Sequence, residues 1–518
     1  MTGDRADFGS LSHALERSAA ATPERIAVES GGERIGYGEF AAAARRCAGG
    51  LGELGVRRGD RVAVALPNGI AAAVALYGAL RAGAAIVPLN PGIKGDKLAA
   101  ILEDCQAKVL IGTAALAAQL PSARAQPLIV AADGAAPAAH ASLDELMRAP
   151  ERGAPVLEVD LAAVIYTSGS TGVPKGVVLS HRNMAFASAS ICAYLGMQGD
   201  DRILSTLPLS FDYGLYQLLL CAHVGASLLL EPGMGYPGEL VRMLHERGVT
   251  GLPGVPTLFR VLLSLPGLDK RDWPQLRLIT NTGAALSADT IQSLRRIFPQ
   301  ARLYSMYGLT ECKRVSYLPP EELDRRPDSV GIAIPGTEVW IEGERGERLR
   351  AGEVGELMVR GPHVMQGYWN APAATAERLR AGRWPWERVL ATGDLFRQDA
   401  QGFLYFVGRR DDIIKSRGEK VSPREIENVL LAAPGVLDAA VLGVAHEVLG
   451  QAIWAHVSPR PGAALDAREL DRFCRERLEP HLVPARFAIH AQLPKSANGK
   501  IDKRALAQPL PQPEHDHG

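Results

Sequence analysis

Apolar positions along the first 300 residues alternate between two rhythms. Short β-branched runs at 61–66, 108–111 and 161–166 read as strands, and the Ala/Leu-rich segment 71–81 reads as a helix. That alternation predicts βαβ units around parallel sheet. Residues 113–155, rich in Ala and Pro, read as a loosely constrained surface stretch. From about 330 to 408 the pattern changes to short strands punctuated by glycine, at 338–341, 356–360 and 402–407, which predicts a small β-subdomain. Beyond Asp411 a helix over 422–431 is expected to open on a capping box, with Ser422 as N-cap, Pro423 at the first helical position and Glu425 three residues on. Strands at 439–444 and 452–457 and a helix at 467–478 complete an α+β unit, and the proline-bearing tail from Gln508 is expected to be disordered. The predicted fold class is α/β, with a large N-terminal domain (1–408) of parallel-sheet subdomains plus the small β-subdomain, followed by a small α+β C-terminal domain (409–518).

Charge narrows the partners. Lys+Arg 57 balances Asp+Glu 57, so no net field is available for nucleic acid or an anionic membrane. Only 11 of the 57 basic residues are lysine, which makes each lysine worth a question. The 6 cysteines show no CxxC pair and no Cys/His cluster, arguing against a disulfide framework or a zinc site and for reduced thiols in a cytoplasmic setting. The N-terminal residues lack an apolar core of signal-peptide type, and the longest apolar stretch, 215–230, is too short for a bilayer.

The chemistry is expected where the strand at 161–166 runs into Thr167, Ser168, Gly169, Ser170, Thr171 and Gly172, closed by Lys175. Small residues let backbone N–H groups approach a polyanion, hydroxyls add donors, and lysine adds a point charge. The loop lacks the Gly-Lys-Ser/Thr ending of a P-loop, since Pro174 precedes Lys175 and Gly176 follows it.

The run Tyr166 to His181 (YTSGSTGVPKGVVLSH) resembles the signature of the adenylate-forming enzymes: acyl-CoA synthetases, peptide-synthetase adenylation domains and their relatives. Segments 281–286 (NTGAAL), 307–311 (YGLTE), 367–370 (GYWN), 392–394 (TGD), 408–415 (GRRDDIIK) and 494–500 (PKSANGK) resemble the family's other motifs in its order. The resemblance implies that ATP is met by the Thr167–Gly172 loop and Lys175, by Gly283, Ala284 and Ala285 beside adenine, by Tyr307 and Gly308 with Tyr307 stacking on the base, and by Asp394 and Arg409 at the ribose. It implies that Thr310 contacts phosphate, that Glu311 holds Mg2+, and that Lys500 bridges acid and phosphate. Asp411 would be the hinge of a mobile C-terminal domain, with Lys415 and Gly418 in a loop facing the thiol of CoA or of a carrier protein's phosphopantetheine.

The acid pocket is implied around Phe211, Asp212, Tyr213, Met306 and Arg314. Asp212 stands where many acyl- and aryl-CoA ligases carry histidine, and Phe-Asp resembles amino-acid adenylation domains, whose aspartate pairs with the substrate ammonium. Two other readings stand beside it: Asp212 caps a turn, or it pairs with Arg314. The expected function is AMP-forming ligation of a carboxylic or amino acid to CoA or to a carrier-protein thiol supplied in trans. The alternatives are a stand-alone proline-like adenylation enzyme loading only a carrier, an ATP hydrolase, and an adenylate-binding regulatory protein.

Overall fold

The computed structural model describes residues 9–120, 127–134, 139–168, 174–233, 235, 237–416, 419–446, 449–495 and 500–507. Gly169, Ser170, Thr171, Gly172, Gly418 and the tail from Gln508 lie outside the described residues, and the side chains of Ser168, Asp411 and Lys415 are likewise not described. The chain forms two compact units, residues 1–339 with 359–391 and residues 340–358 with 392–518.

The first unit carries two sheets whose central strands are parallel, as the alternating pattern predicts. One runs in the order Gly367–Tyr368, Pro174–Ser180, Leu161–Ser168, Ala85–Pro88, Arg61–Ala65, Val109–Gly112, Leu128–Ala131, Ala141–Ser142. The other places Arg202–Ser205, Gly251–Gly254, Leu278–Asn281 and Arg302–Tyr307 side by side in parallel, with Ser316–Leu318 antiparallel at the end of that run. Helix Ile70–Arg81 is buried along residues 72–80, and its apolar composition matches that environment. Helix Asp212–Val224 and strand Ser227–Leu230 divide the apolar stretch at 215–230, separated by Gly225 in the left-handed region at φ 79°. The segment expected to be a loose surface stretch instead holds strands Leu128–Ala131 and Ala141–Ser142 and helix Leu143–Leu146, the last opened by a reciprocal Ser142/Glu145 capping box. Ala and Pro abundance conceals these elements because each is only two to four residues long, too short to show a periodicity.

In the second unit, strands Val436–His446 and Gly450–Pro459 pair antiparallel, and Arg486–Ile489 joins the latter in parallel. Helix Pro423–Leu431 contributes Ile426 and Leu430 to a core with Val441, Ala455 and Cys474. Ser422 is its N-cap and Pro423 its first residue, but the capping box is absent: Ser422 Oγ donates to the Val407 carbonyl at 2.5 Å instead. All 6 cysteines are free and buried. No helix among the described residues is long and apolar enough to cross a membrane.

Candidate active site

Strand Leu161–Ser168 ends beside Thr167, and the antiparallel strand Pro174–Ser180 runs back with Lys175 opposite Thr167. Gly367–Tyr368 adds a third strand, pairing Tyr368 with Val177 and Gly367 with Val178. This two-residue strand is central to the site. The Tyr368 hydroxyl donates to Glu311 Oε1 at 2.7 Å, while Lys175 Nζ lies 5.6 Å from the centre of the same ring. Burial and the Glu311 charge push the Tyr368 hydroxyl well above its ordinary pKa, so it remains a donor. The Met365 N–H donates to the Glu311 carbonyl at 2.8 Å, and Asn183, locked at a helix start by a capping box with Ser180, holds the carbonyls of Pro362 and Val364. One lysine and one carboxylate are thus gathered on a shared tyrosine.

Among the described residues no group of three or more His, Cys, Asp or Glu side chains could hold a metal. Mg2+ suits a single carboxylate such as Glu311, because it takes most of its six ligands from nucleotide phosphates and water.

Tyr307 ends strand Arg302–Tyr307, and residues 308–315 form the loop of a hairpin closed by the Tyr307–Ser316 pair. Thr310 and Glu311 are half-buried in that loop. A Cβ on Gly308 would sit 2.2 Å from the Lys313 carbonyl oxygen, so only glycine fits there. Lys313 is one of few non-glycine residues at positive φ, 61°, which turns the chain back on itself. On the adjacent strand, Asn281 donates to the Ala284 carbonyl at 2.9 Å, shaping the turn through Gly283 (φ 87°), Ala284 and Ala285.

The expected acid-pocket residues separate into two neighbouring groups. Tyr213, Met306 and Arg314 line one cavity with Gln217, Leu278 and Thr280, where Tyr213 donates to the Thr280 carbonyl at 2.9 Å. Phe211 is the N-cap residue of helix Asp212–Val224 and packs edge-on against Tyr213, with centroids 6.4 Å apart. Asp212, the first helical residue, pairs with Lys313 Nζ at 3.4 Å, not with Arg314. The left-handed turn at Lys313 brings its ammonium back over the Tyr216 ring, 4.4 Å from the centroid, while Arg314 lies against Tyr213 at 5.6 Å. Burial lowers the Lys313 pKa to about 8, against the opposing pull of Asp212.

In the second unit Asp394 is buried and cross-strand to Arg409, whose Nε lies 3.4 Å from Asp394 Oδ1. Thr392 and Gly393 are fixed from behind: Thr392 Oγ donates to Leu357 O at 2.8 Å and Gly393 N to Glu356 Oε1 at 2.9 Å. Lys500 is exposed, next to Ile501, which bridges Lys495 and packs with Ala440, Leu493 and Leu506. Lys495 itself pairs with Asp438 at 2.7 Å.

Residues 15–369 match the AMP-binding enzyme family and residues 425–500 match the AMP-binding enzyme C-terminal domain. The chain belongs to the AMP-binding enzymes. Feruloyl-CoA synthase of Amycolatopsis sp is 34% identical, covering 94% of this chain and 96% of that protein. A linear gramicidin synthase of Brevibacillus parabrevis is 32% identical over 97% of this chain, which corresponds to 6% of that much longer protein. The crystal structure of ATP-bound MatB from Rhodopseudomonas palustris superposes with a TM-score of 0.84 at 30% identity, covering 96% of this chain and 98% of that one. This AMP-binding enzyme is an AMP-forming acid–thiol ligase of the acyl-CoA synthetase type, using ATP, Mg2+ and the thiol of CoA or of a carrier.

Two site residues of this AMP-binding enzyme are not legible from its motifs alone. Tyr368 is one letter of the 367–370 motif, and the available signal is its regular place among motifs that bear on ATP. Lys313 stands beside a second basic residue, and the sequence leaves open which of the two pairs with Asp212. A backbone at positive φ cannot be read from the letters Cys-Lys-Arg.

Proposed function

We propose that the two strands meeting at Tyr368 form the phosphate side of an adenylation site, and that the cavity lined by Tyr213, Met306 and Arg314 receives the acid. The convergence of Lys175 and Glu311 on Tyr368 carries this reading. Lys175 and the Thr167–Gly172 loop would neutralise the triphosphate, Thr310 would donate to phosphate, and Glu311 would hold Mg2+ through its carboxylate. Tyr307 would stack on adenine beside Gly283–Ala285 and Gly308, and Asp394 with Arg409 would hold the ribose.

In the first half-reaction a carboxylate oxygen forms a bond to the ATP α-phosphorus while the bond to pyrophosphate breaks. Two anions approach one another in that step, so fixed positive charge lowers its barrier. Lys500 would supply it. In the second half-reaction a thiolate sulfur bonds to the acyl carbon and AMP departs. The domain from 409 onward would reorient about Asp411 between the two steps, exchanging Lys500 for the loop of Lys415 and Gly418. The acceptor is CoA or a carrier protein's phosphopantetheine; the likeness to linear gramicidin synthase supports keeping the carrier as a second reading.

Lys500→Ala tests the scheme. Acid-dependent ATP–pyrophosphate exchange should fall at least ~100-fold, as for loss of a charge placed at the reacting phosphate, while thioester formation from a pre-made acyl-adenylate persists. Equal loss of both steps would refute the division of labour.

A further inference from the structure

We propose that this enzyme's substrate is a dicarboxylic acid, with Arg314 as the counter-charge for the carboxylate that does not react. The inference rests on the reading of the Tyr213–Met306–Arg314 cavity as the acid pocket. Arg314 is 2% exposed, and its Nε and Nη1 have no hydrogen-bond partner among the described residues. The guanidinium lines a cavity whose other walls are apolar or aromatic, apart from Gln217 and Thr280. The nearest carboxylate of the cluster, Asp212, is engaged by Lys313 at 3.4 Å.

The count of pairs decides the matter. Lys313 takes Asp212 at 3.4 Å, which leaves the buried Arg314 guanidinium with no carboxylate partner among the described residues. A guanidinium cannot escape this by losing its proton, and an unpaired charge out of water is costly. The missing partner is therefore an anion that arrives with the ligand, and the planar fork of arginine matches a carboxylate with two parallel hydrogen bonds. The same count disfavours a substrate whose only additional group is an ammonium, because Asp212 is already neutralised and Arg314 would repel it. It also disfavours plain fatty or aryl acids, which would leave the guanidinium buried against hydrocarbon.

Arg314 could instead grip the reacting carboxylate, and the two roles differ in what a variant does. In the role proposed here, Arg314→Gln changes the preference between diacids and monoacids; in the other it lowers kcat for both alike. The test measures acid-dependent pyrophosphate exchange with the wild-type enzyme on malonate, succinate, glutarate and adipate, beside propionate, butyrate, valerate and caproate, with aspartate and glutamate as ammonium-bearing diacids. At least one diacid should exceed its monoacid counterpart on the order of 100-fold in kcat/KM, and Arg314→Gln should collapse that ratio towards one through KM, as loss of hydrogen bonds to a charged group implies. Folding of the variant is checked by circular dichroism. Independently of any variant, the preferred diacid alone should raise the melting temperature of the wild type where its monoacid does not. Exchange with monoacids only, or an equal loss on both classes in Arg314→Gln, overturns the dicarboxylate assignment while leaving the ligase reading intact. Absence of exchange with every acid of the panel likewise overturns the dicarboxylate assignment, whereas an Arg314→Gln variant that leaves kcat/KM unchanged for every accepted acid overturns the reading of the cavity as the acid pocket.

Discussion

Lys313 offers a measurement in which the electrostatics of the proposed acid pocket can be read without any substrate. Its ammonium is buried against Tyr213 and Tyr216 with one carboxylate for company, and its pKa lies at about 8 instead of 10.5. Each pKa unit is worth about 1.4 kcal/mol, so keeping this lysine charged in the fold costs about 3 kcal/mol relative to the unfolded chain. The sign follows from proton counts. Between pH 8 and 10.5 the unfolded lysine holds its proton and the folded one has lost it, so the unfolded state binds more protons and stability rises with pH across that window. Below pH 8 both states are protonated and the contribution is a constant penalty. The perturbation is Lys313→Met, and the assay is equilibrium urea unfolding of both proteins at closely spaced pH values from about 7 to 10.5. Subtracting the two curves cancels the tyrosines and other groups that titrate in both. The wild type should gain about 3 kcal/mol on the variant across the range. A difference that stays flat would mean that Lys313 is solvated in the fold, and would refute its burial against the Tyr216 ring.

Two further outcomes follow from contacts near Glu311 and Gly308. Tyr368→Phe removes the 2.7 Å hydrogen bond that orients Glu311, and should raise the Mg2+ concentration needed for half-maximal pyrophosphate exchange roughly tenfold, as for other groups that position a metal ligand. An unchanged Mg2+ titration would detach Tyr368 from the metal. Gly308→Ala places a methyl 2.2 Å from the Lys313 carbonyl, so the hairpin loop must shift; a loss of about 1–3 kcal/mol in urea unfolding is expected, and wild-type stability would contradict the crowding.

The parallel sheets are legible because buried strands write themselves as β-branched runs separated by helical ones, as at Arg61–Ala65, Ile70–Arg81 and Val109–Gly112. The placement of the edge strand Gly367–Tyr368 against Pro174–Ser180 is not, since two residues carry no periodicity and the partner is 189 positions away. Ser422 shows a related limit. The residue types of a capping box are present, but the hydroxyl donates to the Val407 carbonyl, 15 residues away, and local grammar yields to that contact. In the first unit the motif letters locate Lys175 and Glu311 on elements that bring them to Tyr368, and in the second unit they locate Asp394 and Arg409 on paired strands that bring them to one another. They do not distinguish which of two adjacent basic residues turns back to Asp212. That depends on a single residue's φ, and lysine at positive φ is a tertiary outcome with no signature in composition.

The pairing of Gly367 with Val178 also bears on when, during synthesis, this enzyme can acquire its site. Val178 leaves the ribosome 189 residues before Gly367, its partner on the neighbouring strand. At roughly 5–20 residues per second that interval lasts on the order of 10–40 s. Throughout it the edge of Pro174–Ser180 has unpaired backbone groups, and a nascent chain truncated before Tyr368 presents Lys175 and Glu311 without the ring that joins them. On the proposed reading ATP would therefore find its phosphate site assembled only on chains translated past Tyr368, and nucleotide would act as a folding ligand for those chains alone.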